Sequence, residues 1–355
     1  MNARKELTPQ MEIYDVLGSN WHPFIMFFHR KNYKSNIVNT DNFGFRYSEY
    51  DGFKFSPLSN FSDIENNISF IVGSSAVFGV GATNDKKTIP SRLSKLSKEN
   101  FLNLGGRAHV SSQELLLFTQ IASKFRKIKN VIIMSGLNDL YLSSLRNYSD
   151  ISGPFFFSNK FKNAMTYENS SWERKLLRFF IAPILGEDFD FLNTRTLDLL
   201  KETFKVILFK KTKNTSLKEN IFDINYTILQ LKKNLYIWKK LSESVPFNLI
   251  FVLQPTLDWM NKKPTKEERI IFEYLNKQVD KVKITEVLSE KIYKKYSQEL
   301  RALCEELQIN FFDSNADLKK YINEKNWLFV DRGGHMTDSG YDIMSKYLYD
   351  LLKNS

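Results

Sequence analysis

The stretch SFIVGSSAVFGVGA, residues 69–82, carries the reading of the whole chain. Residues 69–72 form a short apolar run with β-branched Ile71 and Val72, the composition of a buried strand. The run stops at Gly73, and Ser74, Ser75, Gly79 and Gly81 follow before a helical pattern starts near Ile89. A strand that runs into a Gly-Ser turn is one way an α/β fold holds a single hydroxyl out at the edge of its sheet. The same letters also suit an ordinary loop, with glycine supplying positive φ and serine capping a turn. Later segments of the chain favour the first reading.

Moving outward, residues 67–140 repeat a strand, a glycine-containing loop and a helix. Strands are expected at 68–72, 101–104 and 131–134, with a helix over 89–96. Ser111-Ser112-Gln113-Glu114 is a capping-box pattern that opens a second helix, with Leu115, Leu116, Phe118 and Ile121 expected on its buried side. Strands alternating with helices imply βαβ units and a parallel sheet. Residues 141–245 break the rhythm with Phe155-Phe156-Phe157, a helical pattern near 172–180 and lysine-rich turns at Lys210, Lys211 and Lys213. Ile221, Ile224, Ile228, Leu231, Leu235, Trp238 and Leu241 then recur at spacings of three and four, an amphipathic helix. The segment reads as a helical insertion or cap beside the functional edge of the sheet.

The α/β rhythm returns over 246–355. A strand at 249–253 ends in Gln254-Pro255, a long helical stretch covers 266–307, and another strand follows at 309–312. The apolar run 328–330 leads into Asp331-Arg332-Gly333-Gly334-His335, after which Thr337 or Asp338 caps a final helix using Ile343, Tyr347, Leu348 and Leu351. Residues 1–66 are an irregular extension whose Trp21, Phe24, Ile25, Phe27 and Phe28 are too apolar for a free tail, so it is expected to pack on the core. Within it, Asn42-Phe43-Gly44-Phe45-Arg46 reads as a turn.

Composition narrows the function classes. No apolar run approaches the roughly 20 residues of a membrane-spanning helix, and the N-terminus lacks the apolar core of a signal peptide. Cys304 is the single cysteine, which excludes an intramolecular disulfide and a cysteine-based zinc site. A cytoplasmic protein without cofactor or metal is therefore expected. The formal charge of +11 could attract nucleic acid or acidic small molecules, but the lysines are spread through helical patterns and form no dense tract. No nucleic-acid partner is expected, and oligomeric state is not legible.

In open parallel sheets ligands bind beyond the carboxyl ends of the strands, and four notable positions follow strand ends here: Ser75, Ala108, Asn138 and, near the C-terminus, His335. The blocks Gly73-Ser74-Ser75, Asn103-Leu104-Gly105-Gly106, Gly136-Leu137-Asn138-Asp139 and Asp331…His335 resemble, in order and placement, those of the SGNH (GDSL-like) hydrolases. The resemblance covers 67–140 and about 247–355. It implies a flavodoxin-like three-layer α/β sandwich with a central parallel sheet of about five strands, to which this chain adds the extension and the insertion.

The resemblance also implies roles. Ser75 is the expected nucleophile, His335 its base and Asp331 the acid that orients the imidazole. The N–H of Ser75, a donor from the second loop and the amide of Asn138 are the expected oxyanion hole. Two departures stand out: one extra residue separates Asp331 from His335, and Ala108 stands where the family has its oxyanion glycine. Gly333-Gly334 is expected to absorb the extra residue as a bulge, and the second-loop donor is Ala108, Gly105 or Gly106. His109, which also follows a strand, is a rival base. The implied activity is hydrolysis of an O-acyl ester, with an O-acetyl group on a carbohydrate as the expected case and a small-molecule or glycan ester as partner. The alternatives are an O-acyltransferase using the same serine, or a degenerate module that binds a glycan or protein. Gly79-Val80-Gly81 as a nucleotide loop lacks the full glycine pattern and the acidic ribose ligand.

Overall fold

The computed structural model describes residues 3–59, 68–143, 155–158, 223–276 and 281–354. Its strands are β1 (Ser19–His22), β2 (Met26–His29), β3 (Ser48–Tyr50), β4 (Phe53–Phe55), β5 (Ile68–Gly73), β6 (Asn100–Gly105), β7 (Asn130–Ser135), β8 (Asn248–Leu253) and β9 (Asn310–Asp313). Strands β1–β2 and β3–β4 are antiparallel hairpins of the N-terminal segment. The other five form one parallel sheet in the order β6-β5-β7-β8-β9. Counted within the sheet this is the order 2-1-3-4-5 of a flavodoxin-like fold, in which the chain reverses direction of growth beside its first strand. Ser75 follows that strand directly.

Alternation along each strand sends side chains to two cores. Phe70, Val72, Leu102, Leu104, Val131, Ile133, Leu249, Phe251 and Leu253 share one face. Ile71, Phe101, Ile132, Met134, Ile250 and Val252 share the other. The helices are α1 (Ala3–Leu7), α2 (Met11–Val16), α3 (Ser75–Phe78), α4 (Ile89–Ser97), α5 (Ser111–Ala122), α6 (Leu137–Ser143), α7 (Ile224–Ser244), α8 (Lys266–Asn276), α9 (Lys281–Val287), α10 (Glu290–Glu306), α11 (Ser314–Asp317) and α12 (Asp338–Asn354). Residues of α5, α7 and α10 cover the first face, and residues of α4, α8 and α12 cover the second. Thr337 caps α12, its hydroxyl accepting the N–H of Gly340 at 3.1 Å.

Several local expectations shift. The loop expected after Gly73 begins with a one-turn helix, α3, because Ala76, Val77 and Phe78 are all buried and left-handed Gly79 (φ 92°) ends it. Val110, not Ser111, precedes α5, and its N–H donates to Gln113 Oε1 at 3.2 Å. Leu116 faces solvent while Leu117 is buried, since 3.6-residue periodicity places Glu114, Leu117, Phe118 and Ile121 together on the sheet side. The stretch 266–307 holds α8, α9 and α10 rather than one long helix. The amphipathic helix expected before β8 is α7, and it lies on the sheet with Trp238 against Phe118 at 4.5 Å between ring centroids. Ile221, the helix expected near 172–180 and the lysine-rich turns at 210–213 lie outside the described residues.

The N-terminal segment is fastened by a buried arginine. Arg46 donates to Asp85 (2.9 Å), the Tyr14 hydroxyl (2.9 Å) and the carbonyls of Ile37 (2.7 Å), Phe78 (3.2 Å) and Gly79 (2.9 Å). The last two belong to the turn that follows Ser75. The expected turn at 42–46 places it: Asp41 Oδ1 accepts the N–H groups of Phe43, Gly44 and Phe45, and Gly44 sits at φ 114°. A Cβ at Gly44 would lie 2.4 Å from the His29 carbonyl oxygen, so only glycine permits this approach.

Candidate active site

The carboxyl edge of β5 is built for one exposed hydroxyl. At Gly73 a Cβ would meet the Met134 carbonyl oxygen at 2.2 Å, so glycine lets β5 and β7 close together where the strand ends. Of the two serines that follow, Ser74 is buried and its Oγ donates to Gln254 Oε1 at 3.1 Å. Ser75 is half-buried, opens α3, and has its Oγ 2.6 Å from His335 Nε2. Its N–H, at the first position of a helix, has no acceptor within that helix.

His335 also contacts Asp331, its Nδ1 lying 2.5 Å from Asp331 Oδ2. The tautomer that satisfies both contacts carries its proton on Nδ1 and presents the Nε2 lone pair to Ser75. Burial alone would raise the Asp331 carboxyl, but the His335 ring and the backbone N–H groups of His335 and Gly333 outweigh it and hold the pKa below its usual value. Asp331 is thus an ionised partner for the imidazole. The extra residue is absorbed at Gly334, which takes φ 83°; Gly333 is not left-handed. A Cβ at Gly334 would lie 2.6 Å from Gln254 Nε2 and 2.7 Å from the Pro255 carbonyl oxygen.

Gln254 is a residue the sequence placed at a strand end without a role. Its Oε1 accepts from Ser74, and its Nε2 donates to the Gly333 carbonyl at 3.2 Å. One buried amide therefore joins the residue before the serine to the loop between Asp331 and His335. Glu268 supports the same loop from behind: Oε1 accepts the N–H groups of Leu328 (2.8 Å) and Phe329 (3.1 Å), while Oε2 pairs with buried Lys262 at 2.9 Å. The signal available in sequence was only a polar residue ending a strand and a glutamate in an otherwise ordinary helix.

The second and third loops meet at Asn138, whose Nδ2 donates to the His109 carbonyl at 2.7 Å. An amide nitrogen has a second N–H, and no described residue accepts it. Asp139 ties the same two loops, accepting from Ser111 N and from Ser111 Oγ. Burial raises the Asp139 carboxyl to about 6, against the lowering effect of those bonds. In the second loop the candidate donors separate. Gly105 N–H goes to Asn103 Oδ1 (2.9 Å), Gly106 N–H to the Gly73 carbonyl (2.9 Å), Arg107 N–H to His29 Nε2 (3.0 Å) and His109 N–H to the Gly106 carbonyl (3.0 Å). Only the N–H of Ala108 has no acceptor among the described residues. Ala108 is left-handed (φ 60°), a conformation that an L side chain disfavours.

His109 does not act as a rival base. It is buried, its Nε2 donates to the Phe27 carbonyl at 3.0 Å, and burial holds its pKa down at about 4. Glu114, the nearest carboxylate in the sequence after it, accepts from Ser135 Oγ at 2.9 Å. No group of metal-ligating side chains occurs among the described residues, and no helix there is long and apolar enough to cross a membrane.

No family model and no curated protein sequence matches the chain. Solved structures that it resembles include a member of the lipolytic protein G-D-S-L family from Veillonella parvula, at 12% identity over 81% of this chain and 99% of that one, with a TM-score of 0.43. An aryl esterase from M. smegmatis is 10% identical over 81% and 99%, with a TM-score of 0.43. An extracellular lipase from Streptomyces rimosus is 14% identical over 81% and 100%, with a TM-score of 0.41.

Proposed function

We propose that the chain is a serine esterase of the SGNH kind that hydrolyses an O-acyl ester through Ser75, His335 and Asp331. The observation that carries this is the continuous contact from Ser75 Oγ to His335 Nε2 (2.6 Å) and from His335 Nδ1 to Asp331 (2.5 Å) across a separation of 260 residues. A hydroxyl is a weak nucleophile until a base takes its proton. Here Nε2 accepts it as Oγ attacks the ester carbonyl, and Asp331 stabilises the imidazolium. The tetrahedral oxyanion is met by the N–H groups of Ser75 and Ala108 and by the second amide N–H of Asn138, each worth roughly 3–4 kcal/mol in the transition state. His335 then protonates the departing alkoxide, leaving acyl-Ser75. Water, deprotonated by His335, releases the acid and restores the hydroxyl.

The substrate proposed is a small-molecule or carbohydrate O-acyl ester, with acetyl as the acyl group; net charge suits an acidic one. The core is proposed as residues 67–140 and 246–355, carrying the 1–66 extension and the 141–245 insertion. Transfer of the acyl group to an acceptor other than water uses the same first half of the reaction. A degenerate binding module is less well supported, because the extra residue leaves the Asp331–His335 contact in place. Labelling with a fluorophosphonate and turnover of activated esters test the proposal. Ser75 should be labelled, Ser75→Ala should be neither labelled nor active, and an unlabelled wild type overturns the reading.

A further inference from the structure

We infer that the N-terminal segment positions the second-loop oxyanion donor, with His29 and Arg107 as its positioning residues; this rests on the esterase reading above. The loop around Ala108 is held mostly from outside the sheet. Arg107 N–H donates to His29 Nε2 (3.0 Å), and its guanidinium donates to the carbonyls of Tyr14 (2.5 Å) and Gly18 (2.8 Å). His109 Nε2–H donates to the Phe27 carbonyl (3.0 Å), and Gln113 Nε2 donates to the Ile25 carbonyl (2.8 Å). Every partner lies within residues 14–29, ahead of the first strand of the sheet. From the sheet's own edge the loop and the start of α5 have, among the described residues, the Gly106–Gly73, Asn138–His109 and Ser111–Asp139 bonds, of which only the Asn138–His109 bond touches residues 107–109.

This arrangement matters because Ala108 occupies a conformation that an L side chain disfavours. A left-handed alanine between two pinned neighbours keeps its geometry only while the neighbours stay pinned. Released, Ala108 relaxes toward negative φ, and the peptide that carries its N–H turns. His29 is suited to the task. It is buried, its Nδ1–H donates to the Gly44 carbonyl (3.0 Å), and its ring lies 3.9 Å from that of Phe78. Burial, with Arg107 and His109 nearby, keeps it neutral, as an acceptor for Arg107 N–H must be. Arg46 and Tyr14 bind the same segment to the turn after Ser75, through the carbonyls of Phe78, Gly79 and Ala82. Nucleophile turn and oxyanion loop thus share one external brace.

The test uses the full chain and two matched activated aryl esters, one with a C=O and one with a C=S group. Sulfur is a poor acceptor in an oxyanion hole, so the ratio of their kcat/KM values reads the hole itself and does not depend on the amount of folded enzyme. Wild type should prefer the oxygen ester strongly. His29→Leu and Arg107→Ala should lower kcat on the oxygen ester by about 10- to 100-fold, the order of one weakened oxyanion donor, with little change in KM, and should shrink the oxygen-to-sulfur ratio. His29→Gln, whose Oε1 can accept where Nε2 did, should recover much of both. Should His29→Leu yield no folded protein, Arg107→Ala and His29→Gln decide the matter. An unchanged ratio in an enzyme whose turnover still requires Ser75 overturns this inference alone. A wild type with no Ser75-dependent turnover overturns the esterase reading and this inference with it.

Discussion

Two loops at the same edge of the sheet are stabilised in different ways. The Asp331–His335 loop is held by the core: Gln254 from the end of β8, Glu268 from α8, and the Val330 N–H to His335 carbonyl bond that closes the loop on itself (2.9 Å). The loop around Ala108 is held largely by residues 14–29. The proposed acid–base half of the site is thus hydrogen-bonded mainly to the α/β core, whereas the proposed oxyanion half leans on residues 14–29. Substitutions in the first half should act on proton transfer and those in the second on transition-state charge. Mutations of the N-terminal segment can therefore impair chemistry without touching any of the proposed catalytic residues.

The largest effect expected is from Ser75→Ala, which should remove about 10⁵-fold or more of kcat on an activated ester while the circular dichroism spectrum is unchanged. If Ser74→Ala is the inactive variant instead, the nucleophile is one residue earlier. Asp331→Asn should follow, with a loss of about 10⁴-fold in kcat and little change in KM, because the amide favours the wrong imidazole tautomer. A near-normal kcat would show that the core-held loop works as a Ser–His pair without its acid.

The brace from the N-terminal segment should be visible in stability. Arg46→Met leaves Asp85 buried without its nearest charged partner, so unfolding in urea should show a loss of roughly 3–5 kcal/mol. A change below about 1 kcal/mol would mean that Lys54, 3.6 Å from Asp85, suffices as counter-charge. His109 reports on the same region through pH. Its folded pKa of about 4 lies below the unfolded value of about 6.5, so the unfolded chain binds the extra proton between those limits. Its stabilising share, roughly 3 kcal/mol at neutral pH, is complete above the unfolded value and is lost as pH falls toward 4. Asp139, raised to about 6, acts with the opposite sign. The contribution is therefore read as the difference between wild type and His109→Gln from pH 7 to pH 4; a pH-independent difference would contradict it.

The smallest effect expected is from Gln254→Leu, which removes the link between Ser74 and the Gly333 carbonyl. A loss of about 10- to 100-fold in kcat is expected, the scale of one or two buried hydrogen bonds, with no change in the oxygen-to-sulfur ester ratio. A shift in that ratio would show that the two loops are not independent, and the comparison would fail.

Much of this architecture was legible before any coordinates. Short, largely apolar runs marked all five sheet strands, and three- and four-residue spacing marked α7 and α12, because these patterns repeat within a few residues. Ser75 and His335 stood out because they follow strand ends at the edge where a parallel sheet binds its ligands, and their roles, with that of Asp331, came from the resemblance of the four blocks to the SGNH hydrolases. The pair Gly333-Gly334 was legible as the place that absorbs the extra position, since left-handed geometry is written into glycine itself; that Gly334 is the left-handed one of the two was not. The one-turn helix at Ser75 and the outward face of Leu116 were not, since a helix of four residues carries too little periodicity and one apolar residue among several has no direction until a sheet lies beneath it.

What the tertiary structure alone decided has no local signature. Gln254 reaches a serine 180 positions away, and His29 accepts an N–H 78 positions later. Each is an ordinary polar residue in its own stretch and acquires a role only when the fold buries it beside an unmatched partner. The choice of Ala108 over Gly105 and Gly106 is of the same kind. All three carry an identical N–H, and which one is left without an acceptor follows from what the surrounding segments take. Sequence determined which chemistry the edge of the sheet carries, through residue types and their order. Packing determined which donors are spent on structure and which remain for the substrate, because a buried polar group must find a partner wherever in the chain one lies.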